Sequence, residues 1–169
     1  METLLETWRI NARLNHFLLD AIPPEQMAVK LAKGKSVAGN FAHVHNVRLM
    51  WLKSAAPDLW EGMSKLDPDQ LQAESPGDPS PPSPLSPGGA RGSLTSSLLA
   101  SDEAIAELLR RAGSPEGKIK GFKPHAQAFL GYLISHETFH RTCIELALRQ
   151  NGTPLSDKVA YGLWEWGVR

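Results

Sequence analysis

PHAQAFLGYLISHETFHRTCIELALRQNG, residues 124–152, is the stretch on which the reading of this chain turns. Proline suits a first helical turn and Gly152 a stop, so the segment predicts one long helix. Wound at about 100° per residue, Phe129, Tyr132, Leu133, His136, His140, Cys143 and Ala147 share a stripe roughly 100° wide, the width of a core-facing surface. His136 and His140 are one turn apart on that stripe, able to grip a single cation. Both imidazoles point inward, where an unpaired polar group is costly. A lone core histidine is ordinarily satisfied by hydrogen bonds. A pair at ligand spacing on an apolar face points instead to a metal, and a catalytic site then needs a third protein ligand.

Working outward, Leu4, Leu5, Trp8, Ala12, Leu19 and Ile22 form one apolar stripe from Glu2 to Ala21, stopped by Pro23 and Pro24. Ser36 is a natural N-cap for a second helix, VAGNFAHVHNVRLMWLKSA, which Pro57 ends. A third helix is signalled by LTSSLLASDEAIAELLRRAG, residues 94–113, with Gly113 as C-cap. Before it, residues 75–93 carry six prolines and four glycines, a composition read as a linker without helix or ladder. So long a crossover fits a bundle whose second and third helices run parallel, because the chain must return a helix length of roughly 30 Å. Ser156 can cap a short final helix, after which Trp164 and Trp166 are expected to cover the bundle. No strand-like alternation and no repeat is visible, so the fold class is an all-α four-helix bundle in one domain, residues 1–169.

Eighteen basic residues balance eighteen acidic ones, which removes the electrostatic basis for nucleic-acid or anionic-membrane binding. A single cysteine, Cys143, excludes an internal disulfide and suits the reducing cytoplasm. No run has the length of a membrane span, and METLLETWRINAR is not a signal peptide. The expected partner is a small-molecule substrate.

For the third ligand, the second helix offers His43 and His45, which lie about 200° apart around the axis, so only one can join the pair. Periodicity alone leaves the choice open, since both faces are apolar. His125 stands roughly 16 Å along the axis from His136, out of range. His16 has no evident partner.

The chain resembles the DinB/YfiT-like superfamily of four-helix-bundle metalloproteins. Their second-helix block, histidine, seven residues, then Trp-Leu, is matched by His43 with Trp51 and Leu52. Their later H-E-x-x-H-R segment leading to a Gly-x-Pro turn is matched by His136, His140, Arg141, Gly152 and Pro154. The resemblance selects His43 and implies a metal site of His43, His136 and His140. It further implies an up-down-down-up topology, homodimers, and activity as a thiol-dependent S-transferase using a low-molecular-weight thiol, or as a hydrolase. Two departures stand out: Arg48 where many members carry an acid, and the Pro-rich insert. A non-catalytic, stress-related metal-binding or dimerisation bundle is the alternative.

HETFH also fits the H-E-x-x-H signature of zinc peptidases. A metzincin would continue with glycine and histidine where this chain has Cys143 and Leu146. Glu145 lies opposite His136, and Glu165 reaches the site only after a chain reversal. No strand-rich lobe is present to hold a peptide, so this reading ranks below the bundle. Three imidazoles suit zinc, nickel, copper or iron without separating them. Glu137, at the stripe's edge, is the candidate catalytic base or a hydrogen-bond acceptor behind the ligands, against the plainer reading of a solvated carboxylate. Asn11 and Asn15 are candidates to orient the imidazoles. Cys143 reads as a small buried hydrophobe rather than a ligand.

Overall fold

The computed structural model describes residues 1–71 and 89–168. The elements are α1 (Glu2–Ala21), α2 (Val37–Ala55), a single turn α3 (Pro57–Trp60), α4 (Gly89–Arg111), α5 (Ala126–Gln150) and α6 (Asp157–Gly162). Among the described residues there is no strand, only isolated bridges between Lys30 and Ser36 and between Ile119 and Phe122. The four long helices form a ring in which α1 and α2 each pack against both α4 and α5.

The core has two ends, and their membership fixes the helix directions. Leu4 and Trp8 of α1 meet Leu49 and Leu52 of α2, Ile105 and Leu109 of α4, and Phe129 and Leu133 of α5. The other end collects Leu18 and Leu19, Val37 and Phe41, Leu94 and Leu98, and Ile144 and Leu148. Early residues of α1 and α5 thus pack with late residues of α2 and α4. The order is up-down-down-up, as the resemblance implied, with α2 and α4 parallel and the long crossover between them.

Helix boundaries follow from local chemistry. Ser36 caps α2, its Oγ accepting from Gly39 N–H at 3.0 Å. His125, extended at φ −162°, caps α5 through Nδ1, which accepts from Ala128 N–H at 3.1 Å. Ser156 caps α6, accepting from Val159 N–H. The chain after α3 is pinned back onto α2, where the Asn46 amide donates to Leu66 C=O and accepts from Leu66 N–H, both at 2.9 Å.

Two expectations need correction. Of the Pro-rich segment 75–93, residues 75–88 lie outside the described residues, but Gly89–Ser93 already belong to α4. Pro87 is the last proline of that segment, so no proline blocks a helix over residues 89–111. Arg91 also ties the new turn down, donating to the Leu19 and Ile22 carbonyls at 2.7 and 2.9 Å at the end of α1. The second correction concerns the terminal tryptophans: Trp164 is 78% exposed and Trp166 half-exposed, so neither closes the bundle. Leu163 packs against the core instead.

Candidate metal centre

The imidazoles of His43, His136 and His140 converge, each offering a nitrogen, with the three atoms within 4.8 Å of one another. Ring centroids lie 5.3 Å apart for His43 and His136, and 4.6 Å for each of them with His140. Nitrogens around one tetrahedral ion, at about 2.0–2.1 Å from it, sit roughly 3.3 Å apart, so modest ring rotation closes the set. The α5 pair is brought to α2 because these helices run antiparallel and His43 stands at the level of His136 and His140.

The donor set has the charge state a cation needs. All three rings have pKa values below the ordinary 6.5, chiefly through burial. His140 is pushed down to about 4, with His136, His43 and Lys35 adding to the effect of burial. Neutral imidazole is the ligating form. His136 Nδ1 is buried with no hydrogen-bond partner among the described residues, an atom in want of an acceptor or a metal. His140 Nδ1 meets Asn40 Oδ1 at 2.8 Å, and the amide acceptor fixes the tautomer with the proton on Nδ1 and leaves Nε2 to bind. Asn40 is itself held by donating to the Ser36 carbonyl at 2.9 Å and the Lys35 carbonyl at 3.3 Å. Tyr132 stacks on His136, and the ring of Phe139, 63% exposed, stands edge-on to His140.

Of His43 and His45, the structure brings His43, the one the resemblance selected, to the α5 pair. His45 turns away, is buried, and donates from Nε2 to the Ser64 carbonyl at 3.0 Å, helping to hold the returning chain. Cys143 is free and half-buried, outside the group of converging ligands. His125 is spent on its capping bond.

Glu137 is 1% exposed, so it is no solvated carboxylate. Oε1 accepts from Arg48 Nε at 2.7 Å. Oε2 accepts from Arg48 Nη2 at 3.0 Å, Asn11 at 2.6 Å and Asn15 at 2.7 Å. Burial alone would raise its pKa, but the Arg48 guanidinium and these donors hold it below the usual carboxylate range. A base needs an open lone pair at the reacting atoms, and this carboxylate's oxygens are taken up by donors from α1 and α2. Asn11 and Asn15 therefore serve Glu137 rather than the imidazoles, correcting their expected role, and Asn40 orients His140 in their place.

Arg48, which the sequence showed only as a departure from the family pattern, is the hub. It is fully buried, forks onto Glu137, and reaches Asp102 Oδ1 at 2.6 Å through Nη1. Two carboxylates keep it protonated despite burial. His16 finds its partner here, with Nε2 at 2.6 Å from Asp102 Oδ2. The signal available beforehand was Arg48 sharing the apolar side of α2 with Phe41, Leu49 and Leu52, where a cation demands a carboxylate.

Among the described residues, no helix is long and apolar enough to cross a membrane. Neither the curated proteins nor the solved structures contain a match to this sequence. The sequence model of the DinB family matches residues 1–164. With its helical bundle and its converging histidines, the chain belongs to the DinB family.

Proposed function

We propose that the protein is a divalent-metal-dependent enzyme, a thiol-dependent S-transferase or hydrolase acting on a small electrophile. One observation carries the reading: three neutral imidazoles gathered on one side of the bundle, with no fourth protein ligand among the described residues. Structural sites close their coordination with protein groups, whereas catalytic ones keep a position for water or substrate. A divalent ion held there supplies Lewis acidity, which acidifies a water or thiol at neutral pH.

The chain's own residues supply the rest. His43 and His136 are half-exposed while His140 is buried, so the site faces solvent from one side. Asn40 holds the His140 ring in its binding tautomer. Phe139 and Tyr132 give the neighbourhood an apolar wall that suits the carbon skeleton of an electrophile. Glu137 acts as a positioning residue, anchoring the α5 turn that carries His136 to Arg48 of α2. Assembly as a homodimer belongs to the same proposal, resting on family membership.

The purified protein should contain close to one zinc, nickel, copper or iron per chain, and His140→Ala should lose it, read by elemental analysis. The metal-loaded protein should join a low-molecular-weight thiol to an alkyl halide or epoxide, or hydrolyse an activated ester, with products identified by mass spectrometry. Rates no higher than those of His140→Ala across both assays would reduce the site to a structural one.

A further inference from the structure

On the side of α5 away from the imidazoles, a cavity of about 100 Å³ opens between α1, α5 and the C-terminal segment. Its walls include Leu14, Thr138, Leu163, Trp164 and Trp166, together with Arg141. That side chain is 8% exposed. It donates from Nη1 to Asn15 Oδ1 at 2.7 Å and from Nη2 to Thr138 Oγ1 at 2.8 Å, both neutral acceptors. Among the described residues it forms no ion pair, and these two bonds leave part of its donor fork unused. Glu137 acts on it through space and through Asn15, outside ion-pair distance, and that carboxylate already carries the fork of Arg48. A buried guanidinium without a carboxylate of its own, set in an apolar hollow, is matched by an anion that brings a hydrophobic body.

We propose that this cavity binds a small monocarboxylate with a short apolar body. The carboxylate pairs with Arg141, and the body lies against Leu14, Leu163 and Trp166, with Trp164 at the mouth. A single water needs roughly 10–15 Å³ of such space, so the hollow has room for a short chain. A phosphate dianion is disfavoured by Glu145, which shares the wall and is paired with Arg149 at 2.7 Å. It also lacks the apolar portion that the walls would cover.

Calorimetric titration of the full chain with butanoate, butanol and inorganic phosphate tests this. Butanoate should bind saturably, at least tenfold tighter than butanol or phosphate, and Arg141→Met should abolish the preference while retaining the helical circular-dichroism spectrum. Equal affinity for butanol, equal affinity for phosphate, or no saturable binding of butanoate overturns the proposal. Should Arg141→Met fail to fold, Thr142→Glu puts a negative charge on an exposed helix position that lines the same cavity. It should weaken butanoate at least fivefold and leave butanol unchanged, and an unaltered butanoate affinity equally overturns the assignment.

Discussion

Asn40 shows how much of a metal centre is decided one bond behind its ligands. It touches neither His43 nor His136 in any hydrogen bond, yet its Oδ1 dictates which nitrogen of His140 is free. Removing such a partner usually costs 10–100-fold in metal affinity. Asn40→Ala should therefore bind its metal roughly that much more weakly in chelator competition, while His45→Ala, which removes a buried ring bonded to Ser64 and outside the ligand group, should bind it normally. Glu137 sits at the same scale with the opposite emphasis. Glu137→Gln keeps the shape but leaves Arg48 with one carboxylate, and breaking a buried pair typically costs about 3–5 kcal/mol. Urea unfolding of the metal-free protein should show that loss, and a change below about 1 kcal/mol would mean that Asp102 alone satisfies Arg48.

At the scale of elements, the N-termini of α2, α5 and α6 are each tied to a side-chain acceptor, and the end that periodicity misjudged, the start of α4, is held by tertiary bonds. The start of α4 depends on Arg91 reaching the last carbonyls of α1. Hydrogen bonds from a charged donor contribute about 1.5–3 kcal/mol each when unexposed, and less at this half-exposed position. Arg91→Ala should destabilise the fold by about 1–2 kcal/mol and speed amide exchange in the first turn of α4 before it affects α5, as hydrogen-exchange mass spectrometry would show. Uniform exchange along α4 in both proteins would place the anchor elsewhere. The α5 N-terminus makes the complementary point, because Pro124 marks the region correctly while the capping acceptor is the His125 ring, a residue that spacing could only exclude from the metal site.

For the molecule as a whole, gathering three imidazoles in the bundle makes its stability depend on pH. His140 titrates near 4 when folded and at its ordinary 6.5 when unfolded. Between those values the unfolded chain takes up a proton that the native protein refuses. Its contribution is therefore complete above about 6.5, declines as the pH falls, and is gone below about 4. His43 and His136 shift in the same direction and steepen the decline. Metal-free protein should show a urea midpoint that drops from pH 7.5 to pH 5, with a shallower drop in His140→Leu. A bound ion should steepen the wild-type slope further because it too requires neutral rings. A midpoint that is flat or rises on acidification would contradict the burial of these rings.

The sequence by itself determined the all-α class, the four long helices, a crossover long enough for α2 and α4 to run parallel, and the α5 pair His136 and His140. Those features rest on local spacing and on chain-length arithmetic, which any folded arrangement must obey. What only the tertiary structure decided was how residues on different helices meet at the bundle's axis. Asn40 behind His140, Arg48 forked onto Glu137, and Arg141 sharing a cavity wall with Trp166 are all set by the rotation of each helix about its own axis. That rotation comes from the combined packing of four apolar stripes. A stripe roughly 100° wide leaves it free by several tens of degrees, enough to exchange one polar neighbour for another until all the helices are docked together.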